Sequence, residues 1–590
     1  MSIRANLIFP LKRIQTGYMS VVFFCLAAML FCAEVEAQPM GEVFTVGSTV
    51  WDLHNSGSMG RMITFNNDTL FFSWSCLNLD FPLLGINLNA RFPSGSWLAD
   101  SSGVRITSPS YRARIVDMAL TDTIPGGPKM PIVSYKVSFT PLVAVTRYAF
   151  SDTVQTYLND GQFFDLPHIS VDFDRHVHLL LMNVVNVGGP YYILYQRSED
   201  HGASFGALEM VDSIFTTSHL IVSSGHSPRS AVLYALPRTY EYLDADYFNN
   251  DLVIIRSSDG TEWDWSQKLN LTQFTDADTF RMGFDVSALF DIHDDLHVVF
   301  PTIGYFQAVP HDSGRVLINS LIWHWSEASD TFTVVANGWN DSNPGAWHHS
   351  IDRGSLAYDV ASGFLYCVYE RFSRDDTSAE EFSNGEVWAT VSTDNGVNWS
   401  EGTNITNTPS PGCPAGSCFS EVFPSAAEVA NDTLHVFYCL DKAAGGAANI
   451  WPEGTLTNNP MIYQKVACDL IPTTPLIVQD IPLHVNPDKA LDGEYEAVNN
   501  VRIQRIWPNP FNTSTTITFL IPHDGPVSVR VFDISGRLIR NLSEGFLTSG
   551  THQVTWNGRG QDGKEVVTGV YLFTVRTNGA NIVGRMLLLK

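Results

Sequence analysis

Basic charge is scarce in this chain: 35 Lys and Arg stand against 61 Asp and Glu, a formal net charge of −26. A surface of that sign repels polyanions, which argues against nucleic acid as a partner and makes a highly anionic polysaccharide a poor one. Acidic excess of this kind keeps an exported protein in solution. Long apolar runs are also lacking. The run Val21–Ala33 falls short of the ~20 residues a membrane-spanning helix needs, and nothing else approaches it, so no transmembrane segment is expected. There is no Gly-rich phosphate loop, no G-x-S-x-G elbow and no H-E-x-x-H, so neither a cofactor nor a metal is expected.

Around the apolar run the pattern is that of a secretory signal. Arg4, Lys12 and Arg13 precede it and Val35-Glu36-Ala37 follows it. A basic stretch, a short apolar core and a small-x-small end predict a signal peptide over residues 1–37, cleaved after Ala37. Neither Cys25 nor Cys32 is preceded by the small residues a lipoprotein signal requires. Six cysteines remain, an even number that permits disulfides in an oxidising compartment without fixing their connectivity. Cys413 and Cys418 enclose a Pro/Gly turn and form the most local candidate pair.

From about residue 45 to 470 the chain repeats a strand-turn-strand unit. Leu70, Val177, Leu296, Leu365 and Leu434 open apolar runs that each follow a polar turn, and the last three fall at equal intervals. The wider gaps hold two fainter units, around Ile115–Leu120 and Ala231–Leu236. β repeats at a fixed period imply radial stacking, because a lone sheet cannot bury both faces. The count predicts seven blades, with six as the alternative.

A second repeat sharpens the class. Ser198, Asp200, Gly202 and Phe205 share a spacing with Ser392, Asp394, Gly396 and Trp399, and Ser257, Asp259, Gly260 and Trp263 repeat it one residue shorter. Asp accepts hydrogen bonds from turn amides, Gly permits a positive φ, and the aromatic packs the turn onto the sheet. These segments resemble the Asp-box (BNR) repeats of sialidase-like β-propellers, in which the boxes are structural. The resemblance implies a propeller over 45–470 and leaves activity open. A sialidase would add an Arg-Ile-Pro motif and an arginine triad gripping a carboxylate. No Arg-Ile-Pro occurs, and nothing in the sequence gathers Arg112, Arg229, Arg281 and Arg371 into one pocket. The most suggestive local cluster is Tyr369-Glu370-Arg371. His178, His297 and His435 occupy one slot in three repeats, which a single metal centre cannot use, and Trp347-His348-His349 is a lone motif in a Gly/Pro-rich loop.

Residues 471–500 turn Pro- and acid-rich and read as a linker. Beyond it, Trp507-Pro508-Asn509-Pro510-Phe511-Asn512, Gly536-Arg537, Gly550-Thr551-His552-Gln553-Val554-Thr555-Trp556, Gly569-Val570-Tyr571 and a terminal Lys590 punctuate short alternating runs, predicting a small Ig-like β-sandwich over 501–590. This tail resembles the type A C-terminal sorting domain of type IX secretion and the Ig-like domain of the flagellar hook-capping protein. The resemblance implies two partners, an outer-membrane translocon and its processing protease, and a secreted or cell-surface destination in a Gram-negative-type bacterium. The expected protein is all-β, a sialidase-like propeller followed by the sandwich. Three functions stay open: binding of glycan or protein at the propeller mouth, glycan-active catalysis, or a structural surface role.

Overall fold

The computed structural model describes residues 38–476 and 502–588 except 55–57, 59, 79–80, 101, 109, 111, 123–127, 139–141, 149–152, 159–163, 185–190, 215, 217, 238–248, 276–279, 307–314, 339–341, 346–347, 447–452, 509–510, 522–524, 534–536, 549, 562 and 578–580. The expected signal peptide and its cleavage point, most of the linker, and Asn509, Pro510, Gly536, Lys590 and Trp347 lie outside the described residues. The described residues form strands joined by turns, with one 3₁₀ turn at Cys468–Leu470 and no α-helix. Among them no helix is long and apolar enough to cross a membrane. The chain divides into two compact units, one of 1–274 with 281–481 and the other of 482–590 with 275–280.

The larger unit repeats a four-stranded antiparallel arrangement, and its fourth and fifth copies are joined through Phe280–Met282 into one nine-stranded sheet. Its first strands in chain order are Ile63–Asn66, Arg112–Asp122, Phe164–Val171, His219–Ser223, Ser287–Phe290, Ile351–Tyr358 and Ser420–Ala426, and each pairs with the strand that follows it. The hairpin turns use the residues the geometry demands: Asn67 and Asp68, and again Asn431 and Asp432, hold positive φ, the backbone of a tight two-residue turn. Each first strand packs against the next, and Ser420–Ala426 packs against Ile63–Asn66, so the order is cyclic and propeller-like. The last sheet is completed by the N-terminal strand Glu42–Thr49, which pairs antiparallel with Asn459–Ala467. Aromatic packing holds this junction: Phe72 sits 5.2 Å from Phe437 and 5.3 Å from Tyr463, and Phe44 stacks on Tyr463 at 5.6 Å.

One repeat differs from expectation. Ile115–Leu120 lies in a first strand, and the second strand of that sheet is Lys129–Ser138. Lys129, Pro131 and Lys136 disguise that second strand, whereas the first strand reads as apolar because its residues are buried.

The three box segments form tight turns between the third and fourth strands of their sheets. Gly202, Gly260 and Gly396 take φ of 84°, 66° and 83°. The Ser392 hydroxyl donates to Asp394 (2.9 Å) and accepts the Gly396 N–H (2.8 Å), while Asp394 also accepts the Asn398 N–H (2.8 Å). Ser198, Asp200, Gly202 and Ser204 repeat the same bonds. Trp399 is buried against His324, and Trp263 stacks on Trp265 at 4.7 Å. Asp394→Ala is expected to lower the unit's stability by about 1 kcal/mol, the worth of the exposed turn bonds it removes, and a shifted urea midpoint would measure it.

The C-terminal unit is a sandwich of two sheets. Arg502–Trp507, Thr515–Ile521 and Gly550–Trp556 form one; Leu538–Leu547, Gly525–Asp533, Gly569–Arg576 and Asn581–Leu588 form the other. Phe511, Trp556, Tyr571 and Phe573 fill the space between them.

Candidate functional site

The first strands of the cyclic unit carry a distortion that their sequences do not announce. Ile115, Leu166, Arg353 and Phe423 all have positive φ, of 58°, 45°, 55° and 56°. Each sits at a register break near the start of its strand. None is glycine, and a β-branched Ile in this region is a steric outlier. Bulges of this kind re-aim side chains, and strain held by packing concentrates where function does.

Two of the four bulged residues meet. The Arg353 guanidinium lies 4.1 Å from the Phe423 ring centroid, donates from Nε to Glu370 Oε1 (3.0 Å) and from Nη1 to Asp285 Oδ1 (3.2 Å). Asp285, itself at φ 73°, precedes another first strand. Glu370 accepts the Phe423 N–H (2.9 Å) and faces His348 Nδ1 at 2.8 Å, and Asp352 faces His349 Nδ1 at 2.5 Å. Arg353, Asp285, Asp352 and Glu370 are all almost completely buried.

Burial pushes the Asp285 carboxyl well above its ordinary range, with the Arg353 cation opposing and the Asp352 and Glu370 charges reinforcing. Burial acts the same way on Asp352, but there His349 and Arg353 outweigh it and hold the carboxyl down. His54 is fully buried beside Phe423, with no hydrogen-bond partner on either ring nitrogen among the described residues, and burial followed by the Arg353 charge lowers it to about 3.

On the far side of the bulges, toward the ends of the first strands, lies a cavity of about 260 Å³ to which all seven first strands contribute. Its polar lining includes Arg61, Asp117, His168, Ser170, Ser223, His226, Tyr358 and Glu428. Asp117 Oδ1 accepts the N–H groups of Arg61 (2.7 Å) and Met118 (3.0 Å), and Oδ2 accepts that of Ile169 (2.9 Å). Glu428 pairs with Arg61 at 3.2 Å, His226 bonds the Tyr358 hydroxyl at 3.2 Å, and Ser170 bonds Ser223 at 2.8 Å.

The cluster Tyr369-Glu370-Arg371 is split by strand alternation. Glu370 joins the buried cluster, while Tyr369 and Arg371 face the other side of the sheet, the Arg371 guanidinium 4.6 Å over Trp388. Arg229 pairs instead with Asp294 and Glu327, and Arg281 lies near the Phe274 ring, so these arginines do not share a pocket. His178 and His435 each bond a tyrosine hydroxyl of the neighbouring strand at 2.8 Å, Tyr195 and Tyr463, and His297 bonds His324 at 2.9 Å. Cys413 and Cys418 are joined in a disulfide. Among the tail residues of the sorting pattern, Phe511 and Tyr571 are core and Arg537 is exposed. The sequence reading missed Arg353, Asp285, His54 and Asp117. The one local signal was Asp352-Arg353, two charges inside an otherwise uncharged strand.

Residues 512–581 match the family model of the FlgD Ig-like domain. That match covers most of the sandwich. No curated protein matches the chain. Among solved structures, the polysaccharide lyase Uly1 is similar at 10% identity and a TM-score of 0.41, over 73% of this chain and 99% of that one. The α-L-arabinofuranosidase Arb93A from Fusarium graminearum is similar at 10% identity and 0.34, over 62% and 95%. PorZ, a surface component of the type-IX secretion system of Porphyromonas gingivalis, is similar at 12% identity and 0.32, over 91% of this chain and 60% of its own. These likenesses are remote, and nothing about activity follows from them.

Proposed function

We propose that this is an exported surface protein whose seven four-stranded repeats are the blades of a sialidase-like Asp-box propeller, and that the axial cavity binds a glycan. The seven first strands packing in a cycle support the blade number. One observation carries the ligand class: both carboxylates lining the cavity are already engaged, Asp117 by three backbone N–H groups and Glu428 by Arg61. The groups left to a ligand are then hydroxyls, imidazoles, a phenol and the exposed Lys129 ammonium, among aliphatic side chains. That set suits a polyhydroxylated ligand, and the volume, slightly under the usual ~300 Å³ lower limit of ligand pockets, suits a single sugar unit. The Ig-like tail, with its resemblance to type A sorting domains, supports recognition by the type IX translocon, removal by its processing protease, and release or attachment at the cell surface.

Binding of the chain from residue 38 to a glycan array, followed by calorimetry on any hit, tests this. Ser170→Trp fills the cavity and is expected to weaken binding at least ~10-fold while the far-ultraviolet circular dichroism stays native. A silent array with the folded chain, or a Ser170→Trp protein that binds as wild type, would remove the axial cavity from consideration.

A further inference from the structure

The positive-φ residues of the first strands leave a regular mark on the axial cavity. Asp117, His168, Ser287, Ser355 and Ser425 line it, and each follows a positive-φ residue by two positions: Ile115, Leu166, Asp285, Arg353 and Phe423 in turn. Five distorted strands thus each bring one polar side chain to the same space. Thr64 joins them from a sixth.

The protons on these hydroxyls show what the space lacks. A hydroxyl owns one proton and accepts through two lone pairs. Ser355 Oγ accepts the Ala426 N–H (2.9 Å) and Ser425 Oγ accepts the Met62 N–H (3.0 Å), so the neighbouring strand fixes each as an acceptor. Neither hydroxyl proton has an acceptor among the described residues, and the buried Thr64 Oγ1 has no partner there at all. Ser355, Ser425 and Thr64 stand on consecutive strands of the cycle, so one sector of the cavity holds three unused protons. Across from it, Ser230 donates to Ser223 (2.9 Å), and Ser223 and Ser170 share one proton between them (2.8 Å). That chain leaves one further proton, on Ser170 or Ser223, both of which line the cavity. Acceptors are short by contrast, since Asp117 already takes three N–H groups.

A buried donor left unpaired is unfavourable, so a fitting ligand brings an oxygen that accepts without donating. Sugar hydroxyls each carry a proton of their own. A carboxylate and the carbonyl of an acetamido group do not, and charge decides between them. Asp117 and Glu428 line the cavity with Arg61 and Lys129, two of each sign, so a carboxylate gains little net attraction to offset its lost hydration. The formal charge of −26 opposes it further. An amide carbonyl carries no such penalty. Its methyl group meets Leu356 and Val429, which line the same sector as the unused protons, and its N–H is met by Glu428 Oε1, since Arg61 engages Oε2. We propose that the axial cavity takes an N-acetylated hexosamine unit, with the acetamido group turned to the sector of Thr64, Ser355 and Ser425. This rests on the cavity binding a glycan and adds which sugar it selects.

Calorimetry of the chain from residue 38 tests this with the methyl glycosides of N-acetylglucosamine, N-acetylgalactosamine, glucose, galactose and glucuronic acid. At least one N-acetylated glycoside is expected to bind ~10-fold or more tightly than its parent hexose and than the glucuronide, because only it pairs the buried donors. Thr64→Val keeps the side chain's shape and removes a hydroxyl on which no other protein group depends. It should narrow that ratio about 3–10-fold, the size of one hydrogen bond, while Thr64→Ser should keep it. A thermal melt checks that each variant folds. A hexose or the glucuronide binding as tightly as the N-acetylated glycosides, or a folded Thr64→Val protein with the full ratio, would overturn the choice of sugar and leave the axial glycan site standing. Array hits that lack an N-acetylated hexosamine would do the same. Silence of every glycoside together with a silent array would remove both readings.

Discussion

Arg353→Met is expected to destabilise the propeller-like unit by about 3–5 kcal/mol, the penalty for removing one partner of a buried ion cluster. Methionine keeps most of the stem volume, so the loss isolates the charge. Wild-type Arg353 satisfies Glu370 and Asp285 at 3.0 and 3.2 Å in a site from which water is excluded. Without it, the Glu370 and Asp352 charges share a buried space with Asp285. The pH dependence has a definite sign. Burial already raises the Asp285 pKa, and losing the opposing Arg353 charge raises it further. A carboxyl whose folded pKa lies above its unfolded value destabilises the fold progressively as pH rises from the unfolded value toward the folded one. The deficit of the variant should therefore shrink between pH 7 and pH 5 in urea melts. Adding Glu370→Gln and Asp285→Asn to Arg353→Met should recover part of the stability at pH 7, since a neutral cluster needs no counter-ion. A variant as stable as wild type at pH 7 would mean that water reaches the cluster.

That cluster could not have been read from the sequence, and the reason is physical. Its members come from five segments, at positions 285, 348, 352–353, 370 and 423, and no periodicity links them. The bulges that bring Arg353 and Phe423 together require positive φ at residues that avoid it, so local preference points the other way. Alternation was sufficient to show that Tyr369 and Arg371 cannot share a face with Glu370, though not which face holds the site. The scaffold was far more legible. Asn-Asp turns, the glycines of the box turns and the alternating strands all act locally, and the strands that follow them form as the pattern indicates. Lys129–Ser138 is the exception, where two lysines and a proline mask a strand whose stability comes from its neighbours. The axial cavity was legible only as a place. Its chemistry depends on which strand positions carry Asp117, His168 and Ser223, and the tertiary arrangement alone assembles them.

Trp556→Ala is expected to cost the Ig-like unit about 3–5 kcal/mol, the range for emptying a buried aromatic site. Trp556 is fully buried, lies 4.9 Å from Tyr571 and 5.4 Å from Phe511, and donates from Nε1 to the Arg559 carbonyl at 3.0 Å. Small domains have total stabilities starting at ~5 kcal/mol, so this loss populates the unfolded tail substantially. Trp556→Phe, which keeps an aromatic and loses only the indole and its bond, should cost less. Val567→Ser, at a side chain 78% exposed, should cost almost nothing. Two readouts separate fold from address. Limited proteolysis of the purified chain should cut the tail of the alanine variant and spare the tail of the serine variant. On the type IX route proposed above, in a host with that system the alanine variant should accumulate in the periplasm while the serine variant reaches the surface or the medium. Both variants reaching the surface equally, with the alanine tail shown to be protease-sensitive, would mean that the folded sandwich is not what the export machinery reads. Retention of both would place the determinant on the exposed surface around Val567 itself.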